Sequence, residues 1–302
     1  MAESLPAPDL PGLLNSWEIT LLAENKSPTT ITSYLRGVRL YLEWIEQNGH
    51  PMELTRAQVQ QYSAELVAAG KEANTVRLRQ AALRQFGRWL VSEGELPDDP
   101  LLGLKPPKIP TKLVHGLSDE QLRALLKACK GPSFKDKRDE ALVRLMFETG
   151  MRASETVALT VADIEPLKDG MAAIRRGKGM KGRVAPFGPQ TAAVLDRYLR
   201  ARRSHKLAST SALWLGVGGK SLAYFGLNDT LRDRAKRAGI EGFHLHLLRH
   251  TAATRWLRAG GSEGGLMAVA GWSTRDMIDR YTGASASERA ATEARGLGLG
   301  EL

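Results

Sequence analysis

Cysteine is almost missing from these 302 residues, where Cys129 stands alone. An intramolecular disulfide framework is therefore impossible, and a reducing compartment is the natural setting. Also missing is any apolar run approaching the roughly 20 residues that a membrane span requires. The first eleven residues hold Glu3 and Asp9 but no Lys or Arg, so no secretory signal is expected there. No internal repeat occurs, and low complexity is confined to the glycine-rich end, 296–300. These absences predict a soluble, cytoplasmic chain. Its length suits two domains, each with a core that needs no covalent staple.

What the chain has in excess is positive charge. Lys and Arg number 43 against 33 Asp and Glu, a net +10, which points to a polyanionic partner. The excess is uneven. Residues through Lys112 hold 12 basic and 13 acidic side chains, whereas the remainder holds 31 and 20.

The first third reads as four helices. Ile31, Tyr34, Leu35, Val38, Leu42 and Ile45 lie on one face of a long helix that starts after Ser27 and stops at Asn48-Gly49. Residues 55–69 and a stripe of Val76, Leu83, Phe86 and Leu90 give two more, and 10–24 gives a fourth. The expected first domain is thus a helical bundle over 1–96. Pro97, Pro100, Pro106, Pro107 and Pro110 predict a stiff linker over 97–112. The second domain, 113–302, reads as α+β and mainly helical. It has two strands, 171–176 and 183–187, around a Gly/Lys tip, and a tail over 284–302.

Four signals in the second domain could carry chemistry. Arg152 follows Gly150-Met151, between a helix stop and a new helix. The tip Gly177-Lys178-Gly179-Met180-Lys181-Gly182-Arg183 places cations among glycines, as a phosphate contact or a solvated turn would. His244, His246 and His250 are close enough to suggest a metal, with His246 and His250 at i, i+4, yet no nearby Cys or spaced carboxylate completes a site. The other reading pairs His246 with Arg249 at i, i+3, where one phosphate can meet a guanidinium fork and an imidazole together. Trp272 follows Gly271, and Tyr281 closes a short helix before Thr282-Gly283.

The order of these signals resembles the tyrosine recombinase (phage integrase) family, closely over 113–283 and in kind only over the helical first domain. The family's first arginine box matches Thr149-Gly150-Met151-Arg152-Ala153-Ser154-Glu155, and its hairpin lysine matches Lys178. Its His-x-x-Arg box matches His246-Leu247-Leu248-Arg249, with the frequent second histidine at His250. Trp272 takes its His/Trp position and Tyr281 its nucleophile. One departure is the segment Glu263-Gly264-Gly265-Leu266, whose adjacent glycines predict a weak helix start before Trp272. The two-domain form without an arm-binding domain is expected, and the Ala/Gly/Arg/Leu richness points to an actinobacterial phage or host.

The residue types suit phosphodiester chemistry. Arg152 and Arg249 can hold non-bridging oxygens and stabilise a pentacoordinate transition state. Arg suits this better than Lys because its planar fork is always charged. Tyr281, with an ordinary pKa of about 10, needs help to attack, and Lys178 can protonate the leaving 5′-oxygen. His246 is then an acid/base partner, Trp272 an indole donor, and Glu155 and His250 supporting groups. A phosphotyrosine conserves bond energy, so no cofactor, metal or ATP is expected. Resemblance implies a 3′-phosphotyrosine, a Holliday junction, and a homotetramer on two double-stranded DNA core sites, from a protein monomeric in free solution. Arg77, Gln80, Arg84 and Arg88, at i, i+3, i+7 and i+11, are the expected DNA-binding stripe of the first domain, joined by Lys181 and Arg183 on the hairpin. Phage integration or excision is the main expectation. The alternatives are a Xer-like resolving recombinase, a non-catalytic DNA-binding regulator, a metal-dependent nuclease, and a type IB topoisomerase.

Overall fold

The computed structural model describes residues 8–108, 116–175 and 182–282, with side chains through Asp279. The chain divides into two units, Met1–Pro110 and Thr111–Leu302. Among the described residues no helix is long and apolar enough to cross a membrane.

Four helices make the first unit: α1 (Leu10–Ala23), α2 (Pro28–Gln47), α3 (Arg56–Ala68) and α4 (Ala73–Ser92). Local chemistry sets their starts. Ser27 and Thr55 accept from the Thr30 and Gln58 amides, and Pro28 sits where a helix needs no amide donor. The core gathers Leu14, Trp17, Val38, Tyr41, Ile45, Leu83, Phe86 and Leu90. Its aromatic tips are satisfied at the edges, Trp89 Nε1 on Thr20 Oγ1 at 3.0 Å and the Tyr41 hydroxyl on the Glu53 carbonyl at 3.0 Å. Leu101 and Leu104 are also buried in this core. They correct the expected linker over 97–112, because its first half is packed into the bundle and belongs to the first unit. Residues 109–112 lie outside the described residues.

The second unit is mainly helical. It comprises α5 (Asp119–Cys129), α6 (Phe134–Thr149), α7 (Ala153–Ala158), the strands β1 (Met171–Ile174) and β2 (Arg183–Pro186), and then α8 (Pro189–Arg202), α9 (Tyr224–Arg237), α10 (His246–Arg258), α11 (Glu263–Ala270) and α12 (Asp276–Thr282). The strands form an antiparallel pair with Met171 opposite Pro186 and Ile174 opposite Arg183. The central helix α6 buries Leu142, Leu145 and Met146 among Leu195, Tyr198 and Trp214. A smaller cluster joins Ala253, Leu257, Leu266, Ala270, Trp272 and Ile278 from α10, α11, α12 and the turn between the last two. The adjacent glycines of α11 do not prevent its helix, because Ser262 accepts from the Gly265 amide at 3.1 Å and restores the start.

Beneath this core sits a buried ionic node. The Asp139 carboxylate, fully buried, receives Arg138 Nε and Nη2 at 3.0 and 2.8 Å and Arg234 Nε at 2.8 Å. Arg138 also reaches the Leu215 carbonyl, and Arg234 the Ala128 carbonyl and Asp136. One carboxylate thereby fixes α6 to α9 and to the strand-like segment at Leu215. Asp139→Ala leaves the buried Arg138 without its carboxylate partner and Arg234 with Asp136 alone, a change that costs about 3–5 kcal/mol. Urea denaturation of the full chain measures this, and a loss below about 1 kcal/mol would mean that the node holds little.

Candidate active site

The site is built where helices end. Gly150, with φ of +62°, stops α6, and two residues later Arg152 begins α7 as its N-cap. Glu155 closes that start by accepting from the Arg152 amide at 2.8 Å. Arg249 lies in the first turn of α10, one turn after His246. Gly271, with φ of +65°, ends α11 and leads directly to Trp272.

These ends meet. Arg249, 2% exposed, donates Nη1 to the Gly150 carbonyl at 2.6 Å and Nη2 to the Ala270 carbonyl at 2.7 Å. Its guanidinium lies 5.2 Å from the centre of the Trp272 ring. Arg152 donates Nη1 to Glu155 Oε1 at 2.9 Å and Nη2 to the Gly271 carbonyl at 3.3 Å, keeping a side chain 24% exposed. Arg183, on β2, makes a two-pronged contact with Glu155, Nη1–Oε1 at 2.9 Å and Nη2–Oε2 at 2.7 Å, and Nε donates to the Val269 carbonyl at 2.8 Å. Three arginines from three elements thus take the last two carbonyls of α11 and that of its cap, groups that a helix end leaves without internal partners.

The Glu155 carboxyl is held below its ordinary value. Burial alone would raise it, but hydrogen bonds from Arg183 and from the Arg152 amide and guanidinium, with their positive charge, prevail. His246 is exposed at the start of α10, and its ring meets His250 edge to face at 4.6 Å, while His244 and His250 are 6.4 Å apart. Among the described residues no three His, Cys, Asp or Glu side chains are gathered as a metal would require. Trp272 is buried in the small cluster with Ile278, which anchors α12 one turn before Tyr281 on the helix backbone. Lys178 and Lys181 lie outside the described residues.

The structure changes two expected DNA contacts. Gln80 is only 4% exposed and donates to Ser63 Oγ at 2.8 Å, between α4 and α3. It belongs to the face of Val76 and Leu83, not to the outer stripe. The outward face of α4 carries Asn74, Arg77, Leu78, Gln85 and Arg88, with Arg84 half-buried at its rim. Arg183 is likewise turned inward, its side chain 10% exposed. Strand alternation foretells this, since Arg183 shares a face with the buried Ala185 and Phe187. Sequence reasoning missed the part played by the carbonyls of Gly150, Val269, Ala270 and Gly271, which no side-chain motif records.

Because the folded carboxyl of Glu155 is depressed, its stabilisation is present above the ordinary carboxylate value of 4.5 and is lost as pH falls through the folded value. Glu155→Gln is therefore expected to lower stability by about 2–4 kcal/mol at pH 7. That gap closes toward acid pH, as denaturation series of both proteins from pH 7 to pH 3 would record. A gap independent of pH would contradict the ionised role.

Comparison with known proteins places both units. Residues 116–288 match the phage integrase family, and residues 14–94 match the phage integrase N-terminal SAM-like domain. A tyrosine recombinase XerC of Chromobacterium violaceum is 32% identical over 263 residues, covering 87% of this chain and 86% of its own. The crystal structure of XerA recombinase is similar with a TM-score of 0.54 at 26% identity, covering 95% of this chain and 99% of that one. A lambda integrase tetramer bound to a Holliday junction shares the fold, with a TM-score of 0.69 at 15% identity over 90% of this chain and 76% of that one.

Proposed function

Because the chain belongs to the phage integrase family of tyrosine recombinases, we propose that this site-specific recombinase exchanges DNA strands through a 3′-phosphotyrosine on Tyr281. The observation that carries this reading is the convergence of Arg152 and Arg249, with Trp272 beneath, on the end of α11. Two guanidiniums held by carbonyls at fixed positions suit a scissile phosphate, whose added negative charge in the transition state they can stabilise without reorganising. The Tyr281 phenolic oxygen bonds to phosphorus, the bond from phosphorus to the 5′-oxygen breaks, and Lys178 gives that oxygen its proton. His246 serves the proton of the phenol, from an exposed place one turn before Arg249. A 5′-hydroxyl of the exchanged strand then reverses the step, so bond energy is conserved and neither metal nor ATP is consumed.

The partner is double-stranded DNA, recognised at core sites. The outward residues of α4, led by Arg77 and Arg88, contact phosphate in the first unit. A homotetramer on two sites, assembled from free monomers, completes the exchange. Phage or mobile-element integration is the primary reading. The identity to a XerC recombinase supports a Xer-like resolving role as the second, with the same residues in the same roles. A flanking attachment site in the genome separates the two.

Tyr281→Phe removes one oxygen and keeps the ring. DNA binding is expected to survive while the covalent adduct on a nicked suicide substrate disappears, and an adduct formed by the Phe variant would assign the nucleophile elsewhere. For α4, Arg77→Ala and Arg88→Ala are each expected to flatten the log–log salt dependence of half-site binding by about one unit. Gln80→Ala leaves that slope unchanged and lowers stability by about 1 kcal/mol through its lost bond to Ser63. Equal slopes for all three variants would remove α4 from the DNA contact.

A further inference from the structure

We infer that Arg183 is a positioning residue for strand cleavage, locking β2 to the carboxylate and the helix end that together orient Arg152. The inference rests on the recombinase reading and goes beyond it, because Arg183 touches neither DNA nor the reacting atoms in this role. Each of its three nitrogens is bonded within the cluster: Nη1 and Nη2 to the two oxygens of Glu155, and Nε to the Val269 carbonyl. With its side chain 10% exposed, Arg183 is anchored on the carboxylate side and the helix-end side at once, as a group that holds its neighbours would be.

The geometry makes Arg152 depend on Arg183. Arg152 is held at two points, Glu155 Oε1 and the Gly271 carbonyl. Arg183 holds the same carboxylate and the same helix end, two residues earlier at Val269. Gly271 leaves the necessary room, since a Cβ there would stand 3.0 Å from the Arg183 guanidinium carbon. Arg183 also occupies the last paired position of the hairpin, opposite Ile174, and Arg175, the residue after Ile174, is bonded to Asp163. Both strands are therefore fixed just where the pairing ends. Lysine cannot substitute, because one ammonium has no planar fork to span two carboxylate oxygens and a carbonyl together.

The test uses the full chain and three readouts: half-site affinity as a function of salt, the rate of covalent adduct formation on a nicked suicide substrate, and that rate on the same substrate with a methylphosphonate at the scissile position. A methylphosphonate carries no negative charge, so it depends less on a well-placed Arg152. Arg183→Lys is expected to bind the half-site with unchanged affinity and salt slope. Adduct formation should slow about 100-fold, as a misplacement of about 1 Å does, and the defect on the methylphosphonate should be at least about tenfold smaller. The defect should also fail to add to that of Glu155→Gln, because both act through one carboxylate. A salt slope reduced by about one would make Arg183 a phosphate contact and overturn the inference. So would equal slowing on both substrates, or full additivity with Glu155→Gln. If Arg183→Lys does not fold, the double variant Arg183→Met with Glu155→Gln removes charge from both sides together and takes its place in the same measurements. Failure of the wild-type chain to form any adduct would instead count against the recombinase reading, so the two failures are distinguishable.

Discussion

The last two carbonyls of α11 and that of its Gly271 cap each receive one arginine: Val269 from Arg183, Ala270 from Arg249 and Gly271 from Arg152. A helix leaves its final carbonyls unbonded and concentrates partial negative charge there. Cations placed at that pole gain dipole and hydrogen-bond energy at once. Here they gain fixed orientation as well, because each guanidinium has at least one further anchor, Glu155 or the Gly150 carbonyl. Two of the arginines share the Glu155 carboxylate and the third, Arg249, is held by carbonyls alone, so the cluster keeps surplus positive charge for an anion. Carbonyl dipoles offset part of the desolvation without neutralising that surplus. This is how a preorganised anion site can be buried and still remain attractive to phosphate.

The rest of the second unit serves to bring three chain segments to that helix end. Asp139 ties α6 to α9, and α6 then delivers Gly150 and Arg152 at its stop. The amide of Leu117 bonds Thr251 Oγ1 at 2.8 Å, which pins α10 to the chain just before α5. The small cluster of Leu257, Leu266, Ala270, Trp272 and Ile278 then locks α10, α11 and α12 to one another. Its apolar contacts hold Trp272 under Arg249 and fix the backbone that carries Tyr281. Packing sets positions here, and the arginine bonds refine them into a geometry suited to chemistry.

Much of this was legible because the relevant signals are local. The bundle helices follow from apolar spacing and from caps such as Ser27 and Thr55, which act within three residues. Arg152, His246, Arg249 and Trp272 stood out only through the order of their motifs and the resemblance which that order carries, since each alone reads as an ordinary cap, surface or packed residue. Gln80 was misread because four polar residues at roughly helical spacing resemble one face, although 76, 80 and 83 fall together on the apolar one. The linker was overdrawn because prolines mark a break in helix, while burial of Leu101 and Leu104 depends on a surface formed by distant residues. The landing of three arginines on carbonyls has no sequence signature at all, since every residue supplies the same acceptor. Only Arg183 left a trace, through its alternation with Ala185 and Phe187.

The uneven charge assigns different physics to the two parts of the chain. Residues through Lys112 hold one more acidic than basic side chain, so their field at distances beyond about 10 Å is weak in physiological salt. The remainder, with 31 basic against 20 acidic groups, supplies the long-range attraction that steers a polyanion. On the proposed DNA-contacting role of α4, binding by the first unit would rest on short-range fit, with Arg77 and Arg88 presented beside the exposed Leu78. Phosphate contacts of this kind set register, while apolar contacts discriminate base edges such as a thymine methyl. In that proposed role, a weakly charged reader would suit a site-specific enzyme. Were α4 carried on a strongly basic bundle, non-specific adhesion would grow with every added cation, and discrimination among sites would fall as affinity for all of them rose.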